Sequence, residues 1–185
     1  MARGRTGGHG KIDGASYSAW PVPVSHVTPL VIRRAETREA GALTDLCRTA
    51  KRHWGYPPEW MAVWADDLLV TPAAIAAQWI YVGEEAGRVV GFFGLRQDEG
   101  DAAWHLEHLW VEPAHIGQGR GRELFNAAVR LARALGVREL RIKADPNAEP
   151  FYLRMGAVRR SLQVYELCGT RREVPLMAFA VASAP

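Results

Sequence analysis

Residues 108–125 read HLWVEPAHIGQGRGRELF, and this stretch decides the fold. An apolar strand pattern ends before Pro113, and Gly117, Gly119 and Gly121 then alternate in the turn that leads into a helical pattern. Glycines at alternate positions let several backbone N–H groups converge on one anion at the positive end of a helix. The stretch predicts a pyrophosphate-binding loop, although a merely flexible glycine-rich loop has the same pattern.

Two common phosphate-binding loops do not fit these residues. A dinucleotide-binding GxGxxG fingerprint needs a third small residue and an acidic residue about 20 positions further on. Leu124 and Arg141 occupy those places here. A P-loop needs Gly-Lys followed by Ser or Thr, and the chain contains no such run. The loop therefore belongs to another class.

The sequence on both sides of the loop alternates between helical and strand periodicity. The predicted helices cover residues 36–51, 57–68, 71 onward, 119–135 and 148–155. The predicted strands cover residues 30–34, 79–84, 88–96, 103–112, 137–143, 157–167 and 172–181. The strands before and after the long helix form a βαβ unit, so we expect them to be parallel. The predicted fold class is α/β, with one mixed sheet and flanking helices.

The composition is that of one globular domain, because 48% of the 185 residues are apolar. Residues 1–29 are rich in Gly, Ser and Pro and are expected to form a flexible extension to a single domain over residues 30–185. Cys47 and Cys168 permit one disulfide, but a reduced chain in the cytoplasm, with Cys47 as a buried thiol, is the simpler expectation. No apolar run approaches the roughly 18 residues of a membrane span, and no signal-peptide core is present.

The glycine loop resembles the first signature block of the GNAT superfamily of N-acetyltransferases. That block, R/Q-x-x-G-x-G/A, follows a strand that ends in V-x-P. Val111, Pro113, Gly119 and Gly121 match it, and Ile116 stands where the family carries Arg or Gln.

A second block lies at the expected distance. Residues 147–156, NAEPFYLRMG, are similar to the segment that follows the next strand in that family. The matching positions are Asn147, Phe151, Tyr152 and Gly156. The resemblance covers roughly residues 30–180.

The resemblance implies a twisted mixed sheet of about seven strands, flanked by helices, whose central strands splay apart to hold CoA. It implies acetyl-CoA as co-substrate, with its pantetheine arm along the strand and its pyrophosphate on the loop. Plain core packing is compatible with the strand positions as well, since the contacts come from backbone. The implied cofactor-binding residues are Leu109, Trp110, Val111, Gly117, Gln118, Gly119, Arg120, Gly121, Arg122, Asn147 and Phe151.

Acetyl transfer to an amine needs a base for the amine, a donor for the oxyanion and an acid for the departing thiolate. The resemblance implies Glu107 as the base, directly or through water, with His105 or water alone as alternatives. It implies Tyr152 as the acid and a backbone N–H near Leu109 or Trp110 as the oxyanion donor. A surface ion pair at Glu107, an ordinary histidine at 105 and a packed aromatic at 152 are the non-catalytic interpretations.

The acceptor side is less well specified. Trp54 and Tyr56 are candidate substrate-binding residues for an amine, in part through cation–π contact. Trp60 and Trp64 are one helical turn apart, which favours core packing for that pair. No metal is expected, because HLEH at residues 105–108 lacks the HExxH spacing on a helix.

We therefore predict an N-acetyltransferase acting on the primary amine of a small molecule, as a monomer or homodimer and without a nucleic-acid or membrane partner. The alternatives are acetylation of a protein N-terminus or lysine, and a non-catalytic domain that binds acyl-CoA or associates with nucleic acid. Nothing in the sequence chooses among polyamines, aminoglycosides, amino acids and peptides.

The net charge of +3 conceals two opposite local balances. Residues 30–113 hold eight basic and thirteen acidic side chains, whereas residues 114–143 hold seven basic and two acidic ones. The basic segment suits the phosphates of CoA, and we expect the acidic segment to suit a cationic acceptor.

Overall fold

The computed structural model describes residues 29–98, 100 and 103–182. The predicted flexible extension over residues 1–29 lies outside the described residues except for Pro29. The strands are β1 (Val31–Arg34), β2 (Trp79–Glu85), β3 (Arg88–Gln97), β4 (Trp104–Val111), β5 (Glu139–Lys143), β6 (Val158–Leu167) and β7 (Thr170–Ala180). The α-helices are α1 (Ala40–Arg52), α2 (Pro58–Val63), α3 (Pro72–Ala77), α4 (Arg120–Ala134) and α5 (Glu149–Arg154).

The strands form one seven-stranded sheet in the order β1-β2-β3-β4-β5-β7-β6. The central pair, β4 and β5, is parallel and is connected through α4, and the other neighbouring strands are antiparallel. This arrangement confirms the predicted mixed sheet and the predicted βαβ unit.

The central strands pair at one end only. Trp104 lies opposite Leu140 and His105 lies opposite Arg141, and beyond these two pairs β4 and β5 separate. A β-bulge on β4 accompanies the separation, because Glu107 has no residue opposite it on β3. The sheet therefore opens beyond His105, as the resemblance implied.

Helices cover both faces of the sheet. On one face, Leu124, Phe125 and Ala128 of α4 are fully buried against the central strands. On the other face, Leu43 and Cys47 of α1 pack over β2 and β3. The predicted burial of Cys47 is confirmed, and this burial raises the pKa of its thiol to about 12.

Local capping follows the sequence signals. The Thr71 hydroxyl accepts a hydrogen bond of 3.0 Å from the backbone N–H of Ala74, which caps α3. Gly136, at φ +74°, ends α4, and the N–H of Val137 reaches back to the carbonyl of Ala132 at 2.9 Å.

The second helix is shorter than predicted. It ends at Val63 instead of Leu68, because the backbone of Trp64 leaves the helical region at φ −86° and ψ +6°. Residues 64–68 continue as turns, in which the N–H of Leu68 donates to the carbonyl of Trp64 at 3.0 Å.

Candidate active site

The glycine loop over residues 117–122, which we call the cradle, has a backbone conformation suited to an anion at the start of α4. Gly117 and Gly119 have φ angles of +82° and +85°, which a residue with a side chain adopts only with strain. A Cβ at either position meets no atom within 4 Å, so conformation rather than space demands glycine there. The first bond of the helix runs from the N–H of Glu123 to the carbonyl of Gly119, 3.1 Å. The backbone N–H groups over residues 120–122 therefore have no acceptor within the helix and are available to an anion.

A buried ionic cluster holds this cradle in place. The Arg120 side chain is only 2% exposed, and its guanidinium contacts Glu85 through Nη2 and Glu123 through Nη1, the latter at 2.8 Å. Glu123 in turn accepts a hydrogen bond of 2.9 Å from the backbone N–H of Leu30. Because its guanidinium serves the cluster, Arg120 offers a ligand only its backbone. The Gln118 side chain is likewise used within the loop, donating to the carbonyl of Ala114 at 2.7 Å.

A cleft with a volume of about 1650 Å³ runs from the cradle through the opening between β4 and β5. Single small-molecule sites usually measure about 300–1,000 Å³, so this cleft has room for two ligands side by side. Most of the implied cofactor-binding residues line it, whereas Gln118 and Arg120 do not. Those that line it are Leu109, Trp110, Val111, Gly117, Gly119, Gly121, Arg122, Asn147 and Phe151.

The opened edge of β4 fits a pantetheine arm. Residues 109–111 pair with β3 on one side, but they have no strand partner on the side that faces β5. Their backbone groups on that side can therefore pair with an extended amide-containing chain in the manner of a missing strand. Together with the cradle, this edge fits the shape and chemistry of CoA.

Tyr152 lies on α5 and lines the cleft while being 7% exposed. Its ring packs edge-to-face against Phe125 and Phe151, with ring centroids 6.2 and 5.2 Å away. Burial, followed by the nearby charge of Asp145, raises the pKa of the Tyr152 phenol above its ordinary value. Within the described part of the chain its hydroxyl has no hydrogen-bond partner, so it is a protonated donor available to a ligand.

Glu107 and His105 line the cleft in one polar network. A Glu107 carboxylate oxygen lies 3.2 Å from Nε of Arg96, and Nε2 of His105 lies 2.8 Å from Asp98. Arg96 also contacts Asp98, which joins the two pairs. The network lowers the pKa of Asp98, chiefly through the hydrogen bond from Arg96. Arg96 and Asp98 were not among the predicted site residues, and neither was the bulge at Glu107 predicted.

A model of the acetyltransferase (GNAT) family matches residues 41–157. The chain belongs to this family. The match includes the cradle, Tyr152 and the polar network of β4. Both sequence blocks that resemble the family's signature lie within the matched residues.

Individual relatives agree with this assignment. The L-methionine sulfoximine/L-methionine sulfone acetyltransferase of Salmonella typhimurium is 29% identical, over 58% of this chain and 66% of its own length. This chain thus spans just under two thirds of that relative.

Two solved structures share the fold. A GCN5-related N-acetyltransferase from Rhodopseudomonas palustris superposes with a TM-score of 0.69 at 23% identity, covering 83% of this chain and 96% of that one. The structure of yncA from Salmonella typhimurium, which contains its cofactor acetyl-CoA, superposes with a TM-score of 0.61 at 18% identity, covering 84% and 96%. At these identities the likeness supports the GNAT fold.

At the wall of the cleft, this GNAT protein has a group of residues that we call the cation cluster: Lys51, Tyr56, Asp145 and Arg172. Of these four, only Tyr56 was among the predicted site residues. Lys51 Nζ is ion-paired with Asp145, and the Tyr56 hydroxyl donates to the same carboxylate at 2.8 Å. Arg172 donates to the Tyr56 oxygen at 3.1 Å and lies 3.6 Å from Asp145. Asn147 donates to the Tyr56 oxygen at 2.8 Å.

Aromatic rings surround the two cations. The Arg172 guanidinium lies 4.8 Å from the ring centres of Tyr56 and Trp64 and 5.3 Å from that of Trp60. Lys51 Nζ lies 4.4 Å from the ring centre of Trp64 and 4.9 Å from that of Tyr56. Such contacts stabilise a cation most where water is excluded. Burial is the main cause that raises the pKa of Tyr56, to about 12.

The candidate acceptor residues are placed differently from one another. Trp54 lines the cleft and is 39% exposed, whereas Tyr56 is not a lining residue and lies behind the two cations that it contacts. Trp60 and Trp64 pack edge-to-face with ring centres 5.7 Å apart, which agrees with the core-packing interpretation of that pair. Tyr56 thus supports the cleft wall rather than forming its surface.

The electrostatics of this wall are mixed. Asp66 and Asp67 line the cleft, as the expectation of an acidic acceptor side requires, but Lys51 and Arg172 line it as well. The local balance therefore differs from the balance of the sequence segment, because Arg172 comes from β7, far along the chain.

His108 also lines the cleft, with its ring centre 5.4 Å from that of Phe92. Burial lowers the pKa of His108. Its Nδ1 accepts a hydrogen bond from Nε1 of Trp110 at 3.3 Å, which assigns the remaining proton to Nε2. The remaining donor of His108 is thus its Nε2–H.

Neither a metal centre nor a membrane span is found in the described ranges. Among these residues, no three His, Cys, Asp or Glu side chains come together as a metal ion requires. None of the helices in the same ranges is both long and apolar enough to span a bilayer. Cys47 and Cys168 are both free thiols.

Proposed function

We propose that this GNAT protein transfers the acetyl group of acetyl-CoA to the primary amine of a small molecule, by direct attack of the amine on the thioester. The observation that carries the proposal is one continuous cleft that joins the anion cradle, the opened edge of β4 and the hydroxyl of Tyr152. The cleft has room for a second ligand beside CoA, as direct transfer between two bound molecules requires.

The cradle and the edge of β4 are the proposed CoA site. Backbone N–H groups of residues 119–122 bind the pyrophosphate, and backbone groups of residues 109–111 bind the pantetheine arm. When bound, acetyl-CoA supplies an acetyl group already activated as a thioester. The positive end of the 15-residue helix α4 adds to the attraction for phosphate.

Tyr152 is the proposed general acid. Its raised pKa keeps the proton on the phenol oxygen at neutral pH, and the absence of a hydrogen-bond partner in the described chain leaves that proton available. We propose that the phenol gives this proton to the departing sulfur.

Glu107 is the proposed general base, taking the proton of the amine directly or through one water molecule. Its carboxylate contacts Arg96, and Glu107 lines the cleft. His105, held by Asp98, is the alternative. The backbone N–H of Leu109 or Trp110 is the proposed donor to the developing oxyanion.

The comparison with relatives supports a small-molecule acceptor. By its name, the Salmonella relative acetylates L-methionine sulfoximine and L-methionine sulfone. A cytoplasmic location belongs to the same proposal, and cell fractionation tests it.

Thiol release from acetyl-CoA with a panel of amines tests the function. We expect release above hydrolysis with at least one free amine. Release only with peptides or proteins supports the alternative acceptor class, and no release with any acceptor removes the enzymatic interpretation.

Two substitutions assign the roles. We expect Tyr152→Phe to lower kcat about 100-fold or more. Tyr81→Phe is its control, because Tyr81 stacks on Phe93 and does not line the cleft. We expect Glu107→Gln to lower kcat about 100-fold or more, with the exposed Glu166→Gln as its control. A fully active Tyr152→Phe protein contradicts the acid assignment alone.

A further inference from the structure

The cation cluster contains more positive charge than its protein partners balance. Lys51 and Arg172 are 12% and 8% exposed at their side chains, and both line the cleft. Among the described residues, Asp145 is the one carboxylate within ion-pairing distance of either cation. Two buried cations therefore share a single negative charge, although burial of unbalanced charge is costly.

The guanidinium of Arg172 is only partly used. Both of its polar contacts to described residues, with the Tyr56 oxygen and with Asp145, are made by Nη2. Its Nε–H is buried and has no hydrogen-bond partner in that part of the chain. The three surrounding rings hold the guanidinium in place without using its N–H groups.

Lys51 has donors to spare as well. An ammonium group has three N–H donors, and Asp145 accepts from Nζ. Asp66 and Asp67 line the same cleft, but both are exposed. Neither forms an ion pair within 4.0 Å with Lys51 or Arg172. The charge of Asp67 raises the pKa of Lys51 only as the weakest of the causes acting on that group, and water screens it more than the buried pair.

We propose that Arg172 and Lys51 bind a carboxylate of the acceptor, which is therefore an amine that also carries a carboxylate, as an α-amino acid does. The planar guanidinium presents two parallel N–H donors that match the two oxygens of a carboxylate. The proposal rests on the proposed function for the acetylation of the amine, but the anion subsite itself does not depend on catalysis.

The cluster and the proposed acid line one continuous cleft, which contains Lys51, Asp145, Arg172 and Tyr152. Asp145 lies two residues beyond the end of β5. In the proposed arrangement, Arg172 holds the carboxylate and the amine of the same molecule extends along the cleft toward Tyr152. The exposed Trp54 borders the remaining part of the acceptor side.

The test compares acceptors that differ in the carboxylate alone. Six L-amino acids of different side chain are assayed as the free acid, as the carboxamide and as the amine without the carboxyl group. Thiol release from acetyl-CoA is measured with the full chain. We expect the free acid to have a kcat/KM at least about 30-fold above its carboxamide, as loss of a buried charge partner predicts.

Substitution of the cations completes the test. We expect Arg172→Gln to lower kcat/KM for the free acid far more than kcat/KM for the carboxamide, so that the preference for the acid is lost. Arg172→Lys keeps the positive charge but lacks the two parallel N–H donors of a guanidinium, so we expect it to retain part of the preference for the acid. Arg171→Gln, next in sequence but 73% exposed, is the matched control and retains all of it. If Arg172→Gln does not fold, Lys51→Gln measures the same preference.

Binding without turnover separates this proposal from the proposed function. Trp64 contacts both cations, so tryptophan fluorescence of the protein with CoA reports on ligands at the cluster. If no amine is acetylated, the proposed function fails, and tighter binding of acids than of carboxamides still supports the subsite.

Three results overturn the proposal. The first is equal kcat/KM values for acids and carboxamides, and the second is equal binding of the two in the fluorescence titration. The third is an Arg172→Gln protein that loses turnover of both acceptor types to the same extent, which indicates a role in holding β7 against α2 instead of binding.

Discussion

In our proposals, the two ends of the cleft recognise charge in different ways. At the cradle, the groups that face a ligand are backbone N–H donors of consecutive residues, held by two glycines with positive φ. At the cation cluster, they are side chains from three separate parts of the chain, at positions 51, 145 and 172, with Tyr56 behind them. Recognition through backbone leaves a local signature in sequence, whereas recognition through side chains depends on how distant segments meet.

Two buried arginines sharpen this comparison. Arg120 lies beneath the cradle and contacts two carboxylates, those of Glu85 and Glu123. Arg172 shares one carboxylate with Lys51 and lines the cleft. The first arginine is built to hold the loop, and the second has both the position and the free donors to contact a ligand.

The largest effect expected from this difference is on stability. Arg120→Met removes the guanidinium that Glu85 and Glu123 share, so we expect the free energy of unfolding to fall by about 3 kcal/mol. Arg172→Met leaves Asp145 paired with Lys51, so we expect a fall of about 1 kcal/mol. Denaturant unfolding measures both, with Arg171→Met as an exposed control. A larger loss for Arg172→Met contradicts the division between a holding and a binding arginine.

A smaller effect is expected from strain in the cradle. Gly119→Ala forces a side chain into the left-handed region, at a cost of about 1–2 kcal/mol. We expect KM for acetyl-CoA to rise about tenfold while the KM of the acceptor stays unchanged.

Gly41→Ala is the matched control for this strain. Gly41 lies in α1 without a positive φ, and a Cβ there meets no atom within 4 Å. Because alanine favours a helix, we expect this variant to be slightly more stable than the wild type. An unchanged KM for acetyl-CoA in Gly119→Ala argues against the cradle as the pyrophosphate site.

The smallest effect concerns pH. Burial by itself raises the pKa of Asp145. The charge of Lys51 and the hydrogen bonds that the carboxylate accepts outweigh this effect, so the net pKa lies below the ordinary value of 3.8. The donors of these hydrogen bonds are Lys51, Tyr56 and the backbone N–H of Asn147. A carboxyl with a depressed folded-state pKa stabilises the fold above its ordinary pKa and loses that contribution as pH falls toward the folded-state value. We expect Asp145→Asn to lower Tm by a few degrees at neutral pH and by less below pH 3.8.

Thermal unfolding across this pH range measures the difference. Asp66→Asn, an exposed carboxylate on the same cleft, is the control and should leave Tm nearly unchanged. A gap between wild type and Asp145→Asn that widens as pH falls contradicts the sign of the argument.

Much of the fold was predictable from sequence because its signals are local. Alternation of apolar residues predicted the seven strands, and Thr71 and Gly136 marked the ends of helices. The extent of the second helix was wrong, because the packing of Trp64 against α1 and β-strand residues overrides a helical pattern that extends to Leu68.

The site was predictable only at one end. The cradle and Tyr152 lie in two continuous blocks, whereas Arg96 and Asp98 join Glu107 and His105 through pairing of β3 with β4. Lys51, at the end of an ordinary amphipathic helix, carries no signal that distinguishes it from a surface lysine. Its partner Asp145 is 94 residues away.

The sequence by itself determined the mixed sheet, the parallel central pair and the glycine cradle, because backbone conformation depends mainly on neighbouring residues. Only the tertiary structure decided which charged side chains face the cleft. In the folded chain, Arg120 contacts Glu85 and Glu123, and Arg172 lies beside Lys51. The partner of a buried charge is set by the elements that pack around it, and these come from distant parts of the sequence. The excess of acidic residues in 30–113 therefore did not predict that two cations, Lys51 and Arg172, line the acceptor side of the cleft.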